Sequence, residues 1–126
     1  MPAQLNHTLV NVRDKEQSAR FVAEILGLAP PEPYGPFMGV TCSNDVVLYF
    51  VDVDTLHAQH YAFLVSEAEF EKILTRIKAR RLVFWADPFQ QRAGEVNNDD
   101  GGRGVYWEEP SGHLLEAITR PYGAGG

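Results

Sequence analysis

The sequence predicts an α+β fold in which two tandem βαβββ modules form a curved mixed sheet around a cleft. Three observations carry this. Two segments, Leu5–Val12 and His60–Val65, alternate in polarity at the strand period, and they carry His7 and His60 near their starts. Each is followed by an acidic residue, Asp14 or Glu67, and then by an amphipathic helix. About three further strand-like stretches complete each half, so the order strand–helix–strand–strand–strand occurs twice. Each half alone buries little, and one helix per half covers a sheet on one face only, leaving the other face to curl into a cleft. The modules are placed at about 4–54 and 58–120, within a single domain spanning 1–126.

In the first strand Leu5, His7, Leu9 and Asn11 share one face, with Asn6, Thr8, Val10 and Val12 on the other. Asp14 with Gln17 has capping-box spacing; Val22, Ile25 and Leu26 then form a helical stripe, and Gly27 supplies a left-handed stop. The proline-rich run Pro30–Pro36 reads as a loop, followed by strands at Phe37–Thr41 and Val46–Val53. In the second half Ser66 and Glu69 repeat the cap, and Phe70, Ile73, Leu74 and Ile77 repeat the helical stripe. A short strand is expected at Leu82–Ala86 and two more at Gly104–Glu108 and His113–Thr119. Between them Asn97–Gly102 reads as a mobile loop, and the tail Tyr122–Gly126 as frayed.

Composition narrows the function. The chain has 126 residues, 44% hydrophobic and 22% charged, which is ordinary for a globular protein. It shows no apolar run long enough for a bilayer and no charged-then-apolar leader, so a cytoplasmic location without membrane contact is expected. A net charge of −6 argues against nucleic acid as partner. The one cysteine, Cys42, excludes a disulfide framework and a Cys-rich metal site, and no cationic neighbour in sequence activates it. A small molecule is the expected partner.

The chemistry concentrates on histidine and glutamate. Of four histidines, His7 and His60 occupy equivalent places in the two halves, so a pseudo-twofold fold brings them together. Glu116 lies among Leu114, Leu115, Ala117 and Ile118, where an unpaired carboxylate is costly. A metal held by His7, His60 and Glu116 answers that cost. Two imidazoles and a carboxylate suit Fe(II), and also Mn, Zn, Ni or Co, with positions left open for a chelating substrate. His113 is three residues from Glu116 and faces the opposite side of the same strand; it reads as packing. A His57–His60 site is a lesser alternative. Tyr106 is either a hydroxyl donor in the cleft or a core tyrosine with its hydroxyl at the rim. Glu108 and Glu109 read as solvated, and Trp85, Trp107, Phe84, Phe89 and Phe63 as core and cleft wall.

The stretches LNHTLVNV, HYAFLVSEAEF and GVYWEEPSGHLLEAITRPY, with the helix ending LGL, resemble the vicinal oxygen chelate superfamily. That superfamily includes glyoxalase I, bleomycin-resistance proteins, extradiol dioxygenases and fosfomycin-resistance thiol transferases. The resemblance runs from Leu5 to Tyr122 and implies paired βαβββ modules and, often, a homodimer. It places His7, His60 and Glu116 on the metal-ligand positions, with Glu116 and Tyr106 as catalytic candidates. Bleomycin-binding members lack these ligands, so their retention implies a metal-dependent lyase, dioxygenase or thiol transferase. Glyoxalase I takes a fourth ligand from the first half, and no carboxylate stands near Tyr49 in 46–51. The fosfomycin enzymes are similar at HYAF, Tyr106 and Glu116. The chain departs from them at Leu9, at Trp85–Asp87 in place of a phosphonate-binding lysine, and at Arg120. Extradiol dioxygenases need a further histidine, for which His57 is the candidate. The alternative is a metal-independent protein that binds and sequesters an antibiotic-like small molecule.

Overall fold

A computed structural model describes residues 2–124, which divide into two compact units meeting between His57 and Ala58. The first unit runs β1 (His7–Val12), α1 (Lys15–Leu26), β2 (Glu32–Tyr34), β3 (Phe37–Thr41) and β4 (Val47–Asp52). The second runs β5 (His60–Leu64), α2 (Glu67–Ala79), β6 (Phe84–Trp85), a 3-10 turn at Asp99–Gly101, β7 (Gly104–Glu108) and β8 (Leu114–Ile118). The sheet orders are β1-β4-β3-β2 and β5-β8-β7-β6, with the first pair parallel and the others antiparallel in each. The fold is therefore α+β, two βαβββ modules of one topology.

Register makes the repeat exact at the residue level. His7 pairs with Val47 and Leu9 with Tyr49; His60 pairs with Leu114 and Ala62 with Glu116. Tyr49 and Glu116 therefore hold one and the same place, two residues beyond the partner of the histidine.

Both helices start as the sequence predicts. Asp14 Oδ1 accepts from the Gln17 amide at 3.1 Å, and Ser66 Oγ from the Glu69 amide at 3.1 Å, satisfying donors that the first turn leaves without a helical partner. Asp52 adds a second acceptor for α1, taking the Lys15 amide at 2.7 Å. Gly27 ends α1 at φ 71°, the left-handed region where a side chain is disfavoured. Val22, Ile25 and Leu26 of α1 are buried with Val10, Val12, Val40 and Phe50; Phe70, Ile73 and Ile77 of α2 are buried in the other unit, as are Val105, Trp107 and Leu115. Arg103 pins α2 to the start of β7, donating to Glu67 and Glu71 while its guanidinium lies 4.5 Å from the Phe70 ring centre.

Four expectations change. Glu32–Tyr34 is a strand, not a loop, because Pro33 sits on the sheet edge, where a missing N–H costs no ladder bond. Asn97 is buried and pinned rather than mobile: its amide donates to the Ala86 carbonyl at 2.8 Å and its Oδ1 accepts from the Asp99 amide. Phe89 is 78% exposed and belongs to no core. Tyr122–Ala124 is tied by side-chain bonds rather than frayed, while Gly125 and Gly126 lie outside the described residues. Among the described residues no helix is long and apolar enough to cross a membrane.

Candidate functional site

His60 and Glu116 come together on adjacent strands. Since Glu116 pairs with Ala62, two residues beyond His60, their side chains share one face of the β5–β8 ladder, and the small Ala62 side chain leaves room between them. His60 Nε2 lies 3.0 Å from Glu116 Oε1. The other ring nitrogen, Nδ1, lies 3.0 Å from the Leu114 carbonyl oxygen. A carbonyl only accepts, so Nδ1 carries a proton; Nε2 then faces Glu116 either as the lone-pair nitrogen of the neutral ring or as the second donor of an imidazolium. A lone pair and a carboxylate at this distance repel unless a cation lies with them, either a proton on Nε2 or a metal ion. The carboxylate is 1% exposed and the His60 side chain 43%, so the pair opens to solvent on the histidine side.

Two tyrosines complete the cluster. Tyr122 Oη donates to Glu116, 2.7 Å from Oε1 and 2.8 Å from Oε2. With that proton committed, Tyr106 Oη donates to Tyr122 Oη at 3.2 Å, giving a chain from Tyr106 through Tyr122 to Glu116. Tyr106 pairs with Glu116 across β7 and β8, and its ring stacks on His60 with centroids 5.9 Å apart. Burial chiefly, then the hydrogen bonds with Tyr122 and Glu116, push the Tyr106 phenol far above its ordinary range, so it is a donor at neutral pH. The Tyr106 ring is buried and its hydroxyl meets that of Tyr122. Tyr122 went unrecognised in the sequence, because a lone aromatic between Pro121 and Gly123 carries no periodicity; only its position six residues past Glu116 hints at a return.

In the first unit His7 is exposed at the start of β1. Its Nδ1 donates to Asn6 Oδ1 at 2.7 Å, so Nε2 is the nitrogen turned from that bond. The His7 ring meets Tyr49 edge-on at 5.4 Å. Among the described residues, no group of three or more His, Cys, Asp or Glu gathers as a ligand set. The structure thus joins two of the three sequence-derived ligands and places the third on the other unit. His57 is exposed between β4 and β5, outside both strands.

The turn before β8 corrects one expectation. Glu109 is buried, not solvated, and Oε1 accepts from the Ser111 and His113 amides at 2.7 and 3.0 Å. Packing is the role of His113, as expected: it is buried, and its Nδ1 accepts from the Gln59 amide at 2.9 Å, which fixes the entry of β5. Cys42 is half-buried, and burial raises its thiol, leaving it less reactive.

His60 and Glu116 are a nitrogen and an oxygen donor of the kinds divalent ions take, and their 3.0 Å separation is that of a hydrogen bond and equally of two donors on one ion. Donors about 2.1 Å from one ion at right angles are about 3.0 Å apart, the separation of His60 Nε2 and Glu116 Oε1. The main-chain carbonyl behind His60 is the kind of outer partner that metal-binding histidines use.

Residues 4–117 match the model of the Glyoxalase/Bleomycin resistance protein/Dioxygenase superfamily. The chain belongs to this superfamily. Among solved structures it is similar to Oxidase ChaP-H1, with 55% identity over 97% of this chain and 99% of that one and a TM-score of 0.95. Oxidase ChaP-H2 is similar at 54% identity over 100% of both chains, with a TM-score of 0.96. The glutathione transferase FosA of Serratia marcescens is 28% identical over 123 residues, 92% of this chain and 80% of the relative. The fosfomycin resistance protein FosX of Mesorhizobium loti, at 18% identity over 96% and 95% of the two chains with a TM-score of 0.71, shares the fold. Superfamily members act on small molecules, and the neighbours sharing more than half of this chain's residues are named oxidases, consistent with an enzyme of the vicinal oxygen chelate type.

Proposed function

We propose that this superfamily member is a divalent-metal-dependent enzyme acting on a small substrate chelated through neighbouring oxygens. The observation that carries the reading is the pairing of His60 Nε2 with the buried Glu116 Oε1, 3.0 Å apart on one face of the β5–β8 ladder. His7, from the same chain or from a second copy in a homodimer, completes the set, with Fe, Mn, Zn, Ni or Co as the ion. When bound, the ion supplies Lewis acidity to the chelated oxygens. Leu114 holds the His60 tautomer that coordination needs. Tyr106, whose phenol is held protonated, orients substrate by a hydrogen bond when its hydroxyl turns from Tyr122; its raised pKa suits it to that rather than to giving up the proton. Oxidation is the preferred reaction class, since the named oxidases share 55% and 54% of residues and the transferase 28%.

Metal analysis of untagged protein tests this. Near-stoichiometric divalent metal is expected in the parent, with His7→Ala and Glu116→Ala each losing most of it. A His7→Ala, Glu116→Ala double variant that retains as much metal as the parent refutes the assignment.

A further inference from the structure

The chain does not leave the site at the end of β8. It turns at Arg120–Pro121 and returns, so that a residue six positions beyond Glu116 reaches both oxygens of that carboxylate. Tyr122 is 66% exposed, yet its hydroxyl meets a group that is 1% exposed. Little packing therefore holds the ring, and polar ties hold the segment. Two outward anchors are present: Tyr122 Oη, bonded to Glu116 and to Tyr106 Oη, and the Gly123 amide, which donates to Asp100 Oδ1 at 2.9 Å; bonds from the Arg120 guanidinium to the Ala124 carbonyl at 2.8 Å and from the Ala124 amide to the Pro121 carbonyl at 3.1 Å close the segment on itself. The second anchors the tail to the 3-10 turn ahead of β7, so its two attachment points flank the strand that carries Tyr106.

We propose that 120–124 is a strap latched onto Glu116, and that Tyr122 is a positioning residue that orients this carboxylate for a divalent ion. The positioning half rests on the metal reading given above; the strap half does not. One hydroxyl proton cannot serve two oxygens fully, so Tyr122 divides its bond between them. Were an ion held beside His60, Tyr122 would stay bonded to the Glu116 carboxylate and restrain it from turning. A carboxylate ligand fixed by an outer donor binds its ion more tightly than one left to rotate.

The strap is tested on metal-free protein by native chymotrypsin digestion, following the cut after residue 122 by mass spectrometry. Phenylalanine is as good a target as tyrosine, so Tyr122→Phe keeps the cleavage site while losing the latch. Cleavage there is expected to be about ten-fold faster or more, because a hydrogen bond to a charged group is lost. Asp100→Gly, which suits the φ of 56° at that position, is expected to speed it as well. Equal rates in parent and Tyr122→Phe overturn the strap. For positioning, Co(II) is titrated into parent and Tyr122→Phe by calorimetry and visible absorption. About ten-fold weaker binding with altered Co(II) bands is expected. Unchanged affinity and bands, with tight binding by the parent, overturn the positioning role while the metal reading stands. A parent that takes up no Co(II) overturns both the metal reading and the positioning role, and the cleavage rates still decide the strap.

Discussion

Where β1 pairs with β4, Leu9 stands opposite Tyr49, and Tyr49 stands opposite Gly39 on β3; where β5 pairs with β8, Ala62 stands opposite Glu116, and Glu116 opposite Tyr106 on β7. Each module sets a tyrosine ring beside its histidine, at 5.4 Å from His7 and 5.9 Å from His60, but the ring comes from different strands. In the first unit the ring fills the carboxylate's place and the neighbouring strand gives way to glycine. A Cβ on Gly39 would lie 3.1 Å from Tyr49 Cε1. In the second unit the ring moves one strand over, and its former place is open to Glu116. One scaffold thus yields a module offering a single imidazole and a module offering an imidazole with a carboxylate. The asymmetry lies in two register positions, not in the fold.

The largest expected effect breaks the comparison at those positions. Glu116→Gln is expected to weaken divalent-ion binding about a hundred-fold, whereas Tyr49→Phe leaves it unchanged, as read by calorimetric titration. Gly39→Ala comes next. It should cost about 1–3 kcal/mol in urea unfolding, and combining it with Tyr49→Ala should recover part of that loss, because the clash is with that ring. Removing the matched caps sharpens the likeness instead. Asp14→Ala and Ser66→Ala should each cost about 1 kcal/mol by the same measurement.

The smallest effect is spectroscopic. Burial lifts the Tyr61 and Tyr106 phenols above the ordinary value of 10.0, helped by the charge of Glu109 for Tyr61 and by the bonds with Tyr122 and Glu116 for Tyr106. A raised phenol keeps its proton longer in the folded than in the unfolded chain. Its stabilisation is therefore complete below about pH 10 and is lost as pH rises further toward the folded value. Phenolate absorbance should show a late component on alkaline titration, diminished in Tyr106→Phe.

Much of this was legible from the sequence because it depends on local period and local chemistry. Alternation in Leu5–Val12 and His60–Val65, the Asp14 and Ser66 caps and the Gly27 stop are all written within a few residues. The His60–Glu116 pair was reachable through the cost of burying a carboxylate. What escaped depends on partners distant in sequence or on edges. Pro33 in a strand is explicable only once β2 is known to be an edge. Glu109 and Asn97 are polar residues in turn-rich stretches, and only the amides and carbonyls brought to them make burial tolerable. Tyr122 needed the chain to double back, which no pattern in Arg120–Ala124 announces.

The imidazole of His60 is aimed by a main-chain oxygen, that of Leu114. Replacing that leucine alters its side chain and leaves the aiming atom where it was. Only a slip of β5 against β8 would remove it, and such a slip would unseat the buried Leu115 and Ala117 as well. Substrate preference can therefore drift through the surrounding side chains while the orientation of this ring is inherited with the sheet.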